Sequence, residues 1–236
     1  MNRVWASFFG HGFVEPVDDF RVSNPITNEP LLNALAKDFA AQGYDYKQLM
    51  RTILNSRLYQ LSSTPNEYNL EDTKSYSRSY RRRLPAEVLL DAVNDVTEST
   101  DNFNGCTPGT RAISTWSYKV ESHFMDAFGR PNASSDCPCE RDLRTSVVQS
   151  LHMMNSNDLQ HKLSGKEGRV KKLVESKMSE PEIITELYLA SLNRFPTDRE
   201  IEIASAAFKA EKATRQTATE DLLWALLNSP EFVFNH

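Results

Sequence analysis

Residues 11–21, HGFVEPVDDFR, combine side chains that could carry out acid–base chemistry. Paired carboxylates divide the roles of acid and base when their environments separate their pKa values, and they can also hold a hard cation. The segment lacks the alternating oxygen ligands and glycine turn of known calcium loops. We interpret it as a loop whose aspartates cap a turn and pair with Arg21. The alternative is a catalytic site formed by His11, Glu15, Asp18 and Asp19.

Residues 74–83, KSYSRSYRRR, carry five basic side chains, two tyrosines and no acid. Arginine grips phosphate or carboxylate groups, and tyrosine stacks on bases or sugars. Acidic residues at positions 67, 71 and 72 precede the segment closely, so we interpret it as a centre of internal ion pairing. The alternative is a ligand-binding site, and its members would be Arg78, Tyr80, Arg81, Arg82 and Arg83.

The three cysteines, Cys106, Cys137 and Cys139, leave several states open. A disulfide could join Cys137 to Cys139 in a small strained ring, or join Cys106 to one of them, and all three could be thiols. The remaining alternative is a metal-bound structural domain that uses Cys137 and Cys139. No metal site is predicted, because structural zinc needs four ligands and its cysteine pairs are usually spaced by two to four residues. The haem attachment pattern Cys-x-x-Cys-His is absent from the chain. Nucleotide-binding glycine loops, the Gly-x-Ser-x-Gly elbow and the His-Glu-x-x-His helix are absent too.

The composition bounds what the chain can be. Its 236 residues, 39% of them hydrophobic, are enough to bury a core without help from a metal or disulfide. A net charge of -5 argues against a general binder of nucleic acids or anionic membranes. No apolar run reaches the roughly 18 residues that a membrane-spanning helix needs. The apolar start, MNRVWASFFG, lacks the pattern of a signal peptide, and it predicts that the chain is part of a longer polypeptide.

Apolar residues recur at helical spacing along the chain, and no convincing set of alternating strands occurs. This pattern predicts an all-α fold, an irregular multi-helix bundle with long loops. We expect a single helical domain over residues 1–236, with sub-units 1–130 and 143–236 as a possible division. Helix starts are predicted at Asp45, Pro85, Glu180, Thr197 and Thr219, from capping chemistry. A helix is also predicted through residues 147–159.

A series of motifs runs along the chain in a fixed order. The motifs NRVW, FGHGFV and PVDDF open the series within residues 2–20. It continues with ILNSRLYQLSS (53–63), RRLPAEVLLDA (82–92), CPCER (137–141), LNRFPTDRE (192–200) and LLWALLNSPEF (222–232). The series covers nearly the whole chain, and it resembles a planctomycete-specific family, the domain of unknown function 1553.

The resemblance implies a setting rather than a reaction. It implies the C-terminal domain of a large exported protein, periplasmic or secreted, with companion domains that often include a c-type cytochrome. Haem c would then belong to a companion domain, and no cofactor is expected in this chain. The family offers no catalytic residue that can be transferred to it.

The expected function is therefore that of a non-catalytic helical module that docks a ligand or partner. The expected partners are companion domains of the same polypeptide and a glycan or other small ligand, with no nucleic acid and no membrane insertion. The alternative is a polysaccharide-active enzyme in which Glu15, Asp18 and Asp19 supply the acid and base.

Overall fold

The fold is all-α in the computed structural model, which describes residues 1–115, 120–131 and 146–235. Twelve helices and one two-stranded sheet occur within these residues. They form two compact units, Met1–Arg82 and Arg83–Asn235. The expectation of a single domain, or of sub-units 1–130 and 143–236, stays a prediction. No helix in the described ranges is long and apolar enough to cross a membrane.

The first unit contains three helices: α1 (Asn2–Phe9), α2 (Glu29–Ala41) and α3 (Tyr46–Leu54). Side-chain caps fix the starts of α2 and α3, because Asn28 accepts a hydrogen bond from the backbone of α2 and Asp45 accepts two from the backbone of α3. The predicted cap at Asp45 is confirmed. An aromatic and aliphatic core fills this unit, and its buried members are Trp5, Phe9, Phe13, Leu32, Leu35, Leu49, Ile53 and Tyr76.

The second unit contains nine helices in the described residues. These are α4 (Ala86–Thr97), α5 (His123–Ala127), α6 (Val147–Asn155), α7 (Asn157–Leu163), α8 (Arg169–Glu175), α9 (Glu180–Leu192), α10 (Asp198–Phe208), α11 (Arg215–Leu227) and α12 (Pro230–Val233). A short 3-10 turn spans Ala112–Ser114, and the strands β1 (Arg82–Arg83) and β2 (Phe234–Asn235) pair with each other.

Helix α11 lies at one centre of the second unit, where it packs against α7, α8, α9, α10 and α12. Helix α4 forms the other centre and packs against α5, α7, α8 and the 3-10 turn. The buried side chains of both centres, among them Leu89, Ile183, Leu187 and Leu223, belong to one continuous hydrophobic cluster. This packing places α4, α5 and α7 side by side.

Most of the predicted helix starts are confirmed, and one is wrong. Thr197 caps α10 in a capping box with Glu200, and Pro85 stands at the N-cap of α4. The predicted start at Thr219 is wrong, because α11 begins at Arg215 with Thr214 as its cap. Thr219 is instead buried in the middle of that helix. The helix predicted through residues 147–159 divides at Ser156, which ends α6 and caps α7.

Candidate functional site

The carboxylates of residues 11–21 each engage a different partner. Asp18 accepts hydrogen bonds of 2.5 and 2.8 Å from the guanidinium of Arg3, which hold the pKa of Asp18 below its usual value. Asp19 accepts hydrogen bonds from Arg21, as the loop interpretation predicts, and its pKa is lowered in the same way. Glu15 accepts a 2.5 Å bond from the backbone N–H of Gly12. Since each carboxylate is held on its own partner, the arrangement does not favour a cooperating acid–base pair.

The conformation of this segment is fixed by Asn2, which sequence reasoning missed. Its buried amide donates to the carbonyl groups of Val14 and Val17, at 2.9 and 2.8 Å. Its Oδ1 accepts from the N–H groups of Phe13 and Val14, at 2.6 and 3.4 Å. A Cβ at Gly12 would lie 2.7 Å from that oxygen, so the close approach requires glycine. The segment is therefore built as a docked loop, with the imidazole of His11 exposed beside it.

Two arginines of the basic segment, Arg78 and Arg82, donate hydrogen bonds to backbone carbonyl groups of the first unit. Arg78 donates to the carbonyl of Asn69 at 3.3 Å, and its guanidinium lies 5.3 Å from the ring centroid of Tyr80. Arg82 donates to the carbonyl of Ser7 at 2.5 Å, and burial lowers its pKa. Arg81 is exposed. Backbone carbonyl groups, rather than the acidic neighbours, are thus the partners of Arg78 and Arg82.

Arg83 belongs to the second unit and is buried there. It donates to the carbonyl of Phe128 at 2.8 Å and to that of Leu84 at 3.2 Å, and its guanidinium lies 5.5 Å from the centroid of the Phe128 ring. The unit boundary therefore divides the arginine run that the sequence presents as one cluster.

The predicted cysteine chemistry falls largely outside the described residues, because Cys137 and Cys139 lie there. Cys106 is half-buried against the core of the second unit, and it makes no disulfide within the described part of the chain. In that same part, no group of three or more His, Cys, Asp or Glu side chains could hold a metal ion.

A candidate site lies between α4, α5 and α7, where two cavities share part of their lining. Their volumes are about 220 and 410 Å³, and both are lined by Asp101, Asp158 and Lys162. Ligand sites usually enclose roughly 300–1,000 Å³ over a mostly apolar lining with a few fixed polar groups. The smaller cavity lies below this size range but has such a lining, with Leu90, Val93, Phe103, Phe124 and Leu159 as its apolar members and a polar part that also includes Asn102, Glu121, Ser122 and His123.

Lys162 is the centre of the polar network at this site. Its ammonium group donates to Oδ1 of Asn94 at 2.6 Å and to Oδ1 of Asp101 at 2.7 Å, with a longer contact of 3.4 Å to Ser99. The amide of Asn94 completes the ring by donating to Oδ2 of Asp101 at 2.9 Å. Because Lys162, Asn94 and Asp101 are hydrogen-bonded to one another, the positions of the two charged groups are fixed before any ligand binds.

Local chain geometry explains how the network assembles. Helix α4 ends at Glu98, whose φ of 55° is left-handed, and Ser99 donates its N–H back to the carbonyl of Asn94 at 3.0 Å. This turn returns the chain along α4, so that Asp101 lies beside Asn94. Helix α7 then contributes Lys162 from the other side.

Besides His123 in the lining of the smaller cavity, two further histidines lie near the site. His161 lines the larger cavity and is exposed. His152 packs edge-on against the rings of Phe124 and Phe128, at centroid distances of 5.5 and 6.0 Å. Its Nε2 is buried without a hydrogen-bond partner among the described residues, and burial lowers its pKa. A neutral imidazole is therefore favoured behind the apolar wall of the cavity.

The lining offers hydrogen-bond donors and acceptors of both kinds over an apolar floor. Asp158 and Glu121 add negative charge that Lys162, already paired with Asp101, does not balance. Such a lining disfavours phosphate and other anions, and it suits groups that both donate and accept hydrogen bonds.

Comparison with known proteins adds a family and no function. A family model described as "Protein of unknown function (DUF1553)" matches residues 1–208. No curated protein and no solved structure matches the chain.

Proposed function

Since the chain belongs to the DUF1553 family of proteins of unknown function, we propose from its own residues that it is a non-catalytic ligand-binding module. The ligand is a small polyhydroxylated compound, a sugar or a polyol, and it binds at the two neighbouring cavities that Lys162 lines. The setting that we propose from the family resemblance is an exported multidomain protein, in which companion domains are the docking partners and any haem c belongs to them.

The observation that carries the proposal is the sharing of Asp101, Asp158 and Lys162 by both cavities. A hydroxyl group is at once a donor and an acceptor, so a ring that bears several of them can satisfy carboxylate, ammonium and amide groups together. The apolar face of the same ring packs on Phe124 and Leu159, which line the smaller cavity. Neither a purely apolar ligand nor an anion matches both features.

The test is a binding screen of sugars, amino sugars and polyols by calorimetry on the complete chain. Lys162→Met removes the ammonium but keeps a long side chain, and Asp158→Asn removes an exposed charge that both cavities share. We expect each variant to weaken binding roughly tenfold or more, because a hydrogen bond to a charged group is worth about 1.5–3 kcal/mol. Lys166→Met is the matched control, since Lys166 is an exposed lysine on the loop after α7 and is absent from the lining of both cavities.

Lys162→Met also breaks the hydrogen bonds to Asn94 and Asp101, so this variant could lose binding because it misfolds. Asp158→Asn is included because it leaves those hydrogen bonds in place. The proposal is overturned if no compound in the screen binds. It is equally overturned if both variants bind as tightly as the unaltered chain.

A further inference from the structure

Two exposed tyrosines stand together in the first unit, where α2 ends and α3 begins. Tyr44 is 66% exposed and Tyr46 is 57% exposed. Both rings meet the ring of Phe39 edge-on, with centroids 5.4 and 5.2 Å away. Phe39 in turn packs against the core of its unit. Each ring thus packs against Phe39 on one side, while most of its surface faces solvent.

The backbone holds both tyrosines in fixed positions. Helix α2 ends in a Schellman motif, in which Gly43 donates to the carbonyl of Ala40 at 3.1 Å and Tyr44 donates to that of Phe39 at 2.9 Å. Asp45 then caps α3 by accepting from two backbone N–H groups, and Tyr46 follows as the first helical residue. The pair is therefore placed by two helix ends rather than by a free loop.

The conformation of Tyr44 is unusual for its residue type. Its φ is 62°, directly after Gly43 with a φ of 67°. The motif calls for a left-handed residue at the glycine, whereas a bulky side chain in that region is an outlier. A contact between Phe39 and Tyr44 accompanies such motifs without any ligand. That contact explains neither the exposure of the second ring nor the cost of a left-handed tyrosine, and such costs cluster at functional sites.

The chemistry around the pair points to an uncharged ligand. Lys37, Asp38, Asp45 and Lys47 are the nearest charged residues along the chain, and their charges balance. Gln42 donates to Oδ1 of Asp38 at 2.9 Å, so that an amide and a carboxylate are held together at the end of α2, shortly before Tyr44 in the sequence. Tyrosine combines an apolar face with a polar hydroxyl group, so it suits a partner that has an apolar face and a polar edge. A pyranose ring has C–H groups on its face and hydroxyl groups on its edge.

We propose that Tyr44 and Tyr46 form a stacking surface for the sugar rings of a neutral polysaccharide. This surface lies in the first unit and shares no residue with the cavities around Lys162. The proposal therefore goes beyond the binding of a small ligand and does not depend on it.

The experiment is affinity electrophoresis of the complete chain in gels that contain hydroxyethyl cellulose, xylan or galactomannan. We expect at least one of these to retard the protein, and we expect Tyr44→Asn and Tyr46→Ala each to weaken the retardation roughly tenfold, as for an aromatic anchor. Asparagine tolerates the left-handed conformation, so Tyr44→Asn should leave the melting temperature unchanged or raise it. Tyr68→Ala is the control, because Tyr68 is 93% exposed and has no ring contact among the described residues.

Three outcomes would overturn the stacking surface. The gels could leave the protein unretarded, Tyr68→Ala could reduce retardation as much as the paired substitutions do, or the paired substitutions could act by dissolving a dimer seen in light scattering. Lys162→Met is expected to keep full retardation. A loss in that variant alone would count against a separate surface, while failure of the small-ligand screen would leave these gels unaffected.

Discussion

The side chain of Asn2 uses its whole hydrogen-bonding capacity on the backbone of residues 13–17. An amide has two donors and two acceptor sites, and all four are engaged there. The charged residues nearby attract attention in the sequence, yet each of them is paired close to the surface. At this scale the conformation of the loop depends on an uncharged residue at the start of α1.

Replacing Asn2 by alanine should therefore destabilise the first unit by about 3 kcal/mol, because it leaves several buried backbone groups without partners. Urea denaturation followed by tryptophan fluorescence measures the change, since Trp5 lies in the same core. Asn33→Ala, at an exposed site on α2, serves as the matched control. Equal stability of the two variants would show that the amide does not hold the loop.

Glu200 gives a pH dependence whose sign can be worked out. Hydrogen bonds from Arg194, at 2.9 and 2.8 Å, and from the backbone of Thr197 lower its pKa from 4.5 to about 2. Because the folded pKa lies below the unfolded one, the stabilisation is complete above 4.5 and is lost as the pH falls towards 2.

Glu200→Gln should consequently flatten the loss of stability in that pH window, while Glu202→Gln, an exposed neighbour on α10, should not. Chemical denaturation at a series of pH values separates the two variants. An unchanged acid dependence in Glu200→Gln would mean that the ion pair contributes nothing to folding.

At the scale of elements, helix starts could be predicted wherever the cap is local. Asp45 and Thr197 bond to N–H groups two or three residues ahead, so the sequence contains the whole interaction. The start of α11 was misplaced at Thr219 because a threonine before an apolar run also looks like a cap. In the structure the hydroxyl of Thr219 donates to the carbonyl of Arg215 within the helix, at 2.7 Å, while Thr214 caps it.

These two threonines should respond differently to substitution. Thr214→Ala should cost about 1 kcal/mol, because it removes an N-cap. Thr219→Val keeps the shape of a buried side chain and removes a hydroxyl that bonds only to its own helix. Its effect should be smaller, and thermal denaturation of both variants tests the order. A larger loss in Thr219→Val would contradict the assignment of the stronger stabilising role to the cap at Thr214.

The candidate site, in contrast, could not be predicted from the sequence. Lys162 is separated in the sequence from Asp101 by 61 positions and from Asn94 by 68, so no local motif predicts their hydrogen bonds. Each of these residues is ordinary by type, and only the packing of α4 against α7 brings them together. The surface formed by Tyr44 and Tyr46 could not be predicted either, because the contact of both rings with Phe39 depends on how two helix ends are arranged.

At the scale of the whole molecule, the all-α class followed from periodicity, but the two units did not. Periodicity reports which face of a helix is buried and not which partner covers it. The structure assigns the buried residues to two hydrophobic clusters, one in each unit, that share no residue. A unit with its own core has what independent folding requires.

Core substitutions should therefore act mainly within their own unit. Ile53→Ala and Leu187→Ala each truncate a side chain that is at most 1% exposed, and each should cost about 2–5 kcal/mol. In hydrogen exchange followed by mass spectrometry, Ile53→Ala should lower protection in Met1–Arg82, and Leu187→Ala in Arg83–Asn235. The smaller first unit should also open more readily in the unaltered chain, because a short chain buries a smaller share of its surface. Loss of protection throughout the chain in both variants would instead establish a single cooperative fold.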